Sequence, residues 1–280
     1  MIERSIHCLG PSGFHRLVYS EWPGPKGAPT LLCVHGLTRN GKDFDTIAEA
    51  LSAHYRVVCP DMPGRGRSDY LAVPADYGFP VYLADLASLI ARLDVESVDW
   101  LGTSMGGLVG MMMAAQPGHP IRRLVLNDAG PFIPKTAVER LRSYVGLDPV
   151  FPSLEAMEGA MRQVYAVLGP MTDAQMRRMT EVSARRKPDG SYGFAYDPHI
   201  GDALKAAPPE DVNLWPVWDA IKCPVLLLRG AVSDVVPREV AEEMTRRGPK
   251  AKLVEFAGIG HAPPLLTEDQ ISAVRDFLLA

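Results

Sequence analysis

The sequence has few cysteines and no long apolar run. Its 280 residues include four cysteines, and no two of them stand in a Cys-x-x-Cys pair. We therefore expect Cys8, Cys33, Cys59 and Cys223 to be buried free thiols, with no disulfide and no metal site. No stretch approaches the roughly 20 consecutive apolar residues that a membrane-spanning helix requires, so we expect no membrane span.

Strong charge of either sign is also missing. The formal net charge is −4 and is spread along the chain, which argues against a nucleic-acid partner. Residues 1–8 contain no apolar core of the kind found in signal peptides, and we therefore expect a cytoplasmic location. The sequence gives no indication of the oligomeric state.

Apolar runs alternate with helical patterns along most of the chain. Strand-like runs are found at 30–34, 55–59, 97–101, 121–127, 225–228 and 252–256. Helical patterns are found at 42–53, 81–93, 238–247 and 268–279 and directly after Ser104. Because the strand-like runs are continuous rather than alternating, they indicate a mostly parallel sheet that is covered by helices on both faces.

This alternation is interrupted between 131 and 215. Helical patterns near 135–146, 154–168 and 172–186 follow one another there, without a convincing strand. The strand–helix alternation resumes directly afterwards, which favours an insertion over a separate domain. We predict a core made of residues 1–130 and 216–280, with residues 131–215 forming a helical cap at the carboxyl edge of the strands.

Residues 102–107 read Gly-Thr-Ser-Met-Gly-Gly and contain a Gly-x-Ser-x-Gly motif. The motif lies between a strand-like run and a helix-like run, and its glycines allow the chains to approach closely. Such a turn holds the hydroxyl of Ser104 at the carboxyl edge of the sheet and at a helix N-terminus, where free N–H groups favour negative charge. Ser104 is therefore the predicted nucleophile.

A serine hydroxyl is a weak nucleophile at neutral pH, so it needs a general base, and the base needs a group that orients it. His261 follows the last predicted strand, and we predict that it is the base. Asp234 follows the preceding strand, and we predict that it orients His261. Parallel strands end at one edge of a sheet, so the three side chains should converge in the chain order Ser, Asp, His.

Two backbone amides are candidates for an oxyanion hole. The segment His35-Gly36-Leu37 follows an early strand and leaves the N–H of Leu37 free to face Ser104. The second predicted donor is the N–H of Met105, the residue after the nucleophile. Each such donor typically lowers the reaction barrier by about 3–4 kcal/mol.

Together these motifs resemble the α/β-hydrolase superfamily over nearly the whole chain. The segments that carry the resemblance are His35-Gly36, residues 61–68, the Gly-x-Ser-x-Gly motif, Ser233-Asp234 and Gly260-His261. The resemblance implies an α/β-hydrolase fold, in which helices flank a mostly parallel central sheet and a helical cap is inserted. Residues 35–40 and 126–131 look most like those of bacterial carboxylesterases with a cap.

The resemblance also implies roles for residues around the predicted triad. In this family a histidine at the position of His35 packs and hydrogen-bonds beneath the oxyanion loop, so we expect a structural role for it. Asp61 and Ser68 are expected to brace a glycine-rich loop. Some relatives supply the acid of the triad from the position of Asp128, which is therefore the alternative to Asp234.

The expected activity is that of a serine carboxylesterase. It would hydrolyse short-to-medium acyl esters of small molecules through an acyl-enzyme, without a metal or an organic cofactor. One alternative is a hydrolase of meta-cleavage products, which breaks a carbon–carbon bond with the same residue types, and another is an enol-lactone hydrolase. A third is a receptor with this fold and no catalysis. Haloalkane dehalogenases and epoxide hydrolases are disfavoured, because they need an aspartate where this chain has Ser104.

Overall fold

The computed structural model describes residues 1–206 and 208–280. Its strands are β1 (Ile2–Gly10), β2 (Gly13–Trp22), β3 (Thr30–Val34), β4 (Arg56–Asp61), β5 (Val98–Thr103), β6 (Ile121–Asn127), β7 (Phe132–Ile133), β8 (Ala184–Arg186), β9 (Tyr192–Phe194), β10 (Val212–Asn213), β11 (Val225–Gly230) and β12 (Lys252–Phe256). Its α-helices are α1 (Asp45–Leu51), α2 (Phe79–Arg92), α3 (Met105–Ala114), α4 (Lys135–Tyr144), α5 (Leu154–Val164), α6 (Asp173–Ser183), α7 (Asp202–Lys205), α8 (Trp215–Ala220), α9 (Arg238–Met244) and α10 (Glu268–Leu279).

The central sheet contains eight strands within the described part of the chain, in the order β1-β2-β4-β3-β5-β6-β11-β12. β2 pairs antiparallel with both β1 and β4. From β4 across to β12 the described pairings are parallel. The carboxyl ends of these strands therefore lie at one edge, and the predicted fold class is confirmed.

Both faces of the central strands are covered. Consecutive residues of a strand point to opposite faces, so neighbours in the sequence pack in different layers. In β3, Leu31 and Leu32 belong to two different apolar clusters, and in β5 Trp100 and Leu101 are divided in the same way. All four side chains are fully buried. A strand buried on both faces has to be apolar throughout, which explains why these strands are visible as continuous runs.

The predicted strands are present, and the runs 30–34, 121–127 and 252–256 match β3, β6 and β12 at both ends. The hairpin formed by β1 and β2 is not among the predicted strands. In β1, residues 2–5 are exposed and buried residues alternate with exposed ones only near its end. This edge strand therefore lacks the continuous apolar run that marks the central strands.

Residues 131–215, which we call the inserted segment, lie between β6 and β11. The segment begins and ends in an antiparallel ribbon in which β7 pairs with β10, and a second small ribbon pairs β8 with β9. The helices predicted near 135–146, 154–168 and 172–186 are present as α4, α5 and α6. The expectation that this interval holds no strand is wrong, because the ribbons contribute strands of two or three residues.

The four cysteines are buried and free, as predicted. Each packs in one of the two apolar clusters that line the faces of the sheet. Within the described ranges, no helix combines the length and the apolar character that crossing a membrane requires.

Candidate active site

Ser104 lies at the turn between β5 and α3. Its backbone angles, φ 51° and ψ −115°, fall in a region that L-residues rarely adopt, so the surrounding structure has to hold the turn in place. Glycines supply the space that this turn needs. A Cβ atom on Gly102 would lie 2.3 Å from the carbonyl oxygen of Gly106, and a Cβ atom on Gly106 would lie 2.0 Å from that of Val34. The sharp strand-to-helix turn predicted from the motif is therefore present.

His261 connects Ser104 to Asp128. Its Nε2 is 2.8 Å from Ser104 Oγ, and its Nδ1 is 2.6 Å from Asp128 Oδ2. Asp128 is fully buried, and an ionised carboxylate can only accept hydrogen bonds, so the proton lies on Nδ1. Nε2 is then free to accept the proton of the Ser104 hydroxyl. This arrangement is the one that activates a serine nucleophile.

Asp234 does not occupy the position predicted for it. Its carboxylate pairs with Arg140 of α4 at 2.5 and 2.9 Å, and its side chain is 47% exposed. The carboxylate in contact with His261 belongs to Asp128, the alternative acid. The prediction that Asp234 orients His261 is therefore corrected to Asp128.

The correction has a topological cause. β6 and β11 are neighbours in the sheet, so residues that follow either strand arrive at the same edge. Asp128 is the first residue after β6, where a φ of 52° turns the chain sharply. Its own N–H donates to the carbonyl of Leu228 on β11, at 2.8 Å. Asp234 lies farther along the loop that follows β11, where it faces α4 instead.

Ser233, which the sequence does not single out by itself, contacts the buried acid directly. Its Oγ is 2.6 Å from Asp128 Oδ2. The same Oγ accepts the backbone N–H groups of Val235 and Val236, at 3.2 and 3.3 Å. Because these two groups supply protons to Oγ, the hydroxyl proton itself is directed at Asp128. In the pair Ser233-Asp234, the serine rather than the aspartate reaches the site.

Asn127 joins the strand of the nucleophile to the loop of the base. Its Nδ2 donates to Thr103 Oγ1 at 3.0 Å and to the carbonyl of Pro263 at 2.9 Å. Thr103 directly precedes Ser104, and Pro263 lies in the loop that carries His261. Sequence reasoning misses Asn127, because a polar residue at the end of a strand has no signature of its own.

The orientation of the Leu37 amide is set by His35. The Nδ1–H of His35 donates to the carbonyl of Gly36 at 2.7 Å, and the same carbonyl accepts the N–H of Arg39 at 3.1 Å. In a trans peptide the N–H points away from the carbonyl of its own unit, so fixing Gly36 O also fixes the Leu37 N–H. Among the described residues, no hydrogen bond uses this N–H.

His35 is a buried, neutral ring that supports this loop. The N–H of Met62 donates to its Nε2 at 2.9 Å, so one ring nitrogen accepts while the other donates. Burial lowers the pKa of His35 to about 4, because the charged ring would lose its hydration. These contacts place His35 where the structural role implied by the family resemblance requires it.

Met105 is the first residue of α3. The first N–H groups of a helix have no partner inside the helix, and the helix dipole places partial positive charge at this end. The amide of Met105 is thus available beside Ser104, like the amide of Leu37.

Asp61 and Ser68 bind backbone groups around the neighbouring loop. Asp61 accepts the N–H of Gly41 at 2.7 Å and the N–H of Arg67 at 3.0 Å. Ser68 Oγ donates to the carbonyl of Asp61 and accepts the N–H of Val18 at 2.8 Å. Both residues hold segments of backbone together, as the bracing role predicts.

The inserted segment is tied to the oxyanion loop. Nη1 of Arg39 donates to Ser183 Oγ at 2.6 Å and to Tyr165 Oη at 3.3 Å. Nδ2 of Asn40 donates to the carbonyl of Val182 at 2.7 Å. Arg39 and Asn40, which follow Leu37, are therefore hydrogen-bonded to α6 and to the turn that follows α5.

The same segment contacts the loop of His261. The N–H of Gly260 donates to the carbonyl of Val167 at 2.7 Å. On another side, the pair between Arg140 and Asp234 connects α4 to the loop after β11. The inserted segment thus packs on the loops that carry the base and surround the acid.

Comparison with known proteins agrees with this geometry. The family described as "alpha/beta hydrolase fold" matches residues 29–266. The chain belongs to the α/β-hydrolase family. This membership confirms the resemblance found in the sequence, and with it the prediction that the protein is an enzyme, a hydrolase.

Similar proteins match over almost their whole length. The "3-hydroxybutyrate-oligomer hydrolase" of Cupriavidus necator is 44% identical over 282 residues, which cover 97% of this chain and 96% of that protein. A putative hydrolase from Rickettsia typhi has a solved structure with a TM-score of 0.93 and 31% identity, covering 100% of this chain and 99% of that one. An α/β hydrolase from Novosphingobium aromaticivorans has a TM-score of 0.89 and 35% identity, with 99% and 98% covered.

Proposed function

We propose that this hydrolase is a serine carboxylesterase that cleaves short-to-medium acyl esters through an acyl-enzyme intermediate. The observation that carries the proposal is the continuous hydrogen-bonded chain from Ser104 Oγ through His261 to the buried Asp128, with contacts of 2.8 and 2.6 Å. The catalytic residues are Ser104, His261 and Asp128, and Asp234 has no part in the reaction.

In the first half of the reaction, Ser104 Oγ attacks the ester carbonyl while its proton moves to His261 Nε2. Asp128 keeps the other ring proton on Nδ1 and stabilises the imidazolium that forms. The amides of Leu37 and Met105 donate to the oxygen that becomes negative in the tetrahedral intermediate. His261 then returns the proton to the leaving alcohol, and the acyl group stays on Ser104.

In the second half, a water molecule gives a proton to His261 Nε2 and attacks the acyl carbonyl. The tetrahedral intermediate collapses, Ser104 Oγ leaves with the proton held by His261, and the carboxylic acid is released. The reaction balances with one water consumed for each ester bond cleaved.

We further propose that the inserted segment acts as the cap that selects the substrate. Its contacts with the oxyanion loop and the His261 loop support this assignment. The side chains of Met157, Met161 and Met176 are almost fully buried and pack together, so they belong to the core of this segment. Tyr165 and Phe194 pack against these methionines and are only partly buried, so in this proposal they are the side chains assigned to a substrate pocket.

The similarity to the 3-hydroxybutyrate-oligomer hydrolase extends the proposal to a substrate class. That relative is matched along nearly its full length at 44% identity. We infer that soluble oligoesters of short hydroxy acids, such as the dimer and trimer of 3-hydroxybutyrate, are substrates of this chain. These molecules fit the expectation of a short acyl group, since each ester unit has a short acid part.

The test compares p-nitrophenyl esters from acetate to decanoate and 3-hydroxybutyrate dimers and trimers as substrates. Wild type is measured beside Ser104→Ala and beside Ser88→Ala, a matched change at an exposed serine of α2. We expect turnover of esters, a loss of at least about 10⁴-fold in Ser104→Ala, and no change in Ser88→Ala. Cleavage of short esters without cleavage of the oligomers would overturn the substrate class alone.

Failure of the wild type on every ester would overturn the esterase proposal as a whole. Cleavage of meta-cleavage products or of enol-lactones under the same conditions would then identify the alternative reactions. Ligand binding without turnover of any of these compounds would identify a receptor.

A further inference from the structure

A second group of side chains with metal-ligand atoms lies away from the triad, between the edge hairpin and α2. Cys8 of β1 stands directly opposite His15 of β2 in the strand register. Asp85 belongs to α2, which packs against β1. The exposed fractions of the three side chains are 1%, 5% and 1%. Because His15 lies outside the predicted site loops, the sequence predicts a surface residue, and this prediction is wrong, since His15 is buried.

The three side chains converge on one point. One ligand-type atom from each, a sulfur, a ring nitrogen and a carboxylate oxygen, lies within 4.8 Å of the other two. Residues directly opposite each other in an antiparallel pair project to the same face, which brings Cys8 and His15 together. The helix supplies Asp85 from above that face. Among the described residues, no other group of three or more cysteine, histidine, aspartate or glutamate side chains brings its ligand atoms this close together.

The polar contacts within this group are incomplete. His15 Nε2 is 2.8 Å from Asp85 Oδ2. Asp85 Oδ1 is buried with no nitrogen or hydroxyl donor among the described residues, and besides His15 the Cys8 thiol, a weak donor, is directed at this carboxylate. A buried carboxylate oxygen without a partner costs free energy, and apolar packing does not recover this cost. A thiol is a weak donor and compensates a buried carboxylate oxygen only in part, whereas a cation beside that oxygen compensates it fully.

A cavity adjoins His15. A cavity of about 90 Å³ is lined by His15 together with Gly13, Tyr70 and Val81. This volume exceeds what one water molecule needs. Neither Cys8 nor Asp85 lines this cavity, so it offers only a path by which an ion reaches His15.

Against the expectation from the sequence that Cys8 is no metal ligand, we propose that Cys8, His15 and Asp85 form a binding site for a zinc-type divalent cation. Thiolate, imidazole and carboxylate are the ligands that Zn²⁺ and Co²⁺ accept together, whereas Ca²⁺ and Mg²⁺ prefer oxygen ligands. The Cys8 thiol releases its proton to solvent on binding, so one thiolate and one carboxylate balance the double positive charge. The proton between His15 Nε2 and Asp85 moves to Nδ1 of His15, so the ring stays neutral and Nε2 binds the ion.

Binding an ion requires the ligand atoms of the three side chains to move. Tetrahedral Zn²⁺ with nitrogen and oxygen at about 2.0–2.1 Å separates those two atoms by roughly 3.3 Å. Their present distance is 2.8 Å, so this pair has to open by about 0.5 Å, while the Cys8 sulfur, which lies within 4.8 Å of both atoms, has to complete the set. The site would fix the hairpin of β1 and β2 to α2. It has no place in ester cleavage, because β1 is the edge strand and β2, β4 and β3 separate it from β5, where Ser104 follows.

The test is a titration of untagged, chelator-treated protein with Co²⁺. Tetrahedral Co²⁺ absorbs visible light through d–d transitions, and a thiolate ligand adds a sulfur-to-cobalt charge-transfer band. We expect one Co²⁺ per chain, both bands, and displacement by one equivalent of Zn²⁺. Saturation should also raise the melting temperature, since the ion binds the folded chain. A wild type that shows no stoichiometric binding would overturn the proposal.

Variants identify the ligands. Cys8→Ser should lose the charge-transfer band, and Asp85→Asn should bind at least 100-fold more weakly. Cys223→Ser, a matched change at a buried cysteine outside the group, should behave as wild type. Retention of the band in Cys8→Ser would contradict the assignment. Because a variant can fail to fold, X-ray absorption of the zinc-loaded wild type serves as a second test. It should show one sulfur among nitrogen and oxygen ligands, and a shell without sulfur would refute the site.

Discussion

Replacing Asp128 by asparagine changes one oxygen of a buried carboxylate to an amino group, and we expect kcat to fall by about 10³- to 10⁴-fold. Both carboxylate oxygens are in use: Oδ2 accepts from His261 and Ser233, and Oδ1 accepts from Gly230. An amino group at the Oδ2 position donates to Nδ1 and moves the ring proton to Nε2. His261 then has no acceptor for the proton of Ser104.

The other orientation of the asparagine is also unfavourable. Its amino group at the Oδ1 position faces the N–H of Gly230, so two donors oppose each other. The negative charge that stabilises the imidazolium of His261 is lost in either orientation. A 10⁴-fold loss corresponds to about 5 kcal/mol in the activation free energy. The isosteric change leaves packing intact, so the fold should remain.

The assay measures kcat with p-nitrophenyl butyrate and compares Asp128→Asn with Asp234→Asn. The second variant makes the same chemical change in a half-exposed ion pair with Arg140. Such pairs contribute about 0–1 kcal/mol to stability, so kcat in this variant should stay within about threefold of wild type. Circular dichroism and thermal unfolding confirm that both variants are folded. Loss of activity in Asp234→Asn with activity retained in Asp128→Asn would refute the reasoning.

Three further perturbations test the surroundings of the triad. Ser233→Ala removes a hydrogen bond of roughly 1–1.5 kcal/mol to Asp128 and should lower kcat about tenfold at similar KM. Ser233→Thr keeps the hydroxyl and should retain kcat. Equal losses of kcat in both variants would indicate that Ser233 acts through packing and not through this hydrogen bond. In the folded protein His35 stays neutral between pH 6.5 and about 4, whereas in the unfolded chain it becomes protonated in this range. Protonation therefore favours the unfolded state, and the unfolding free energy should fall by up to about 3 kcal/mol as the pH is lowered from 6.5 to about 4. Urea titrations of His35→Gln should show a flatter slope in this range, and an unchanged slope would contradict this origin. Gly106→Ala should lower the melting temperature and the activity because its Cβ overlaps backbone, whereas Gly159→Ala, with nothing within 4 Å, should be neutral or stabilising by about 0.5–1 kcal/mol.

Much of the fold follows from the sequence because its central strands are buried on both faces. Continuous apolar runs locate β3 and β6, and the glycines around Ser104 identify the turn between β5 and α3. β1 escapes this reasoning because only part of it is buried, and β2 escapes it because its buried half contains the polar residues Ser20 and Glu21. The short ribbons of the inserted segment escape it as well, because two or three residues are too few to form a pattern.

The nucleophile and the base could be placed from local sequence, but the acid could not. Asp128 and Asp234 each follow a strand that ends at the same edge, and β6 and β11 are neighbours. The choice between them depends on backbone angles and side-chain directions that no short motif records. The group of Cys8, His15 and Asp85 is hidden for a related reason. Its members meet only through strand register and through the packing of α2.

Labelling with a fluorophosphonate tests the central claim most directly, because the reagent reacts with an activated serine. Intact mass and peptide mapping of the folded wild type should show one adduct per chain, on the peptide that contains Ser104. Ser104→Ala should remain unlabelled, and Asp128→Asn should react far more slowly than Asp234→Asn. A folded wild type without an adduct, or with its adduct on another residue, would contradict the assignment of Ser104 as the activated nucleophile.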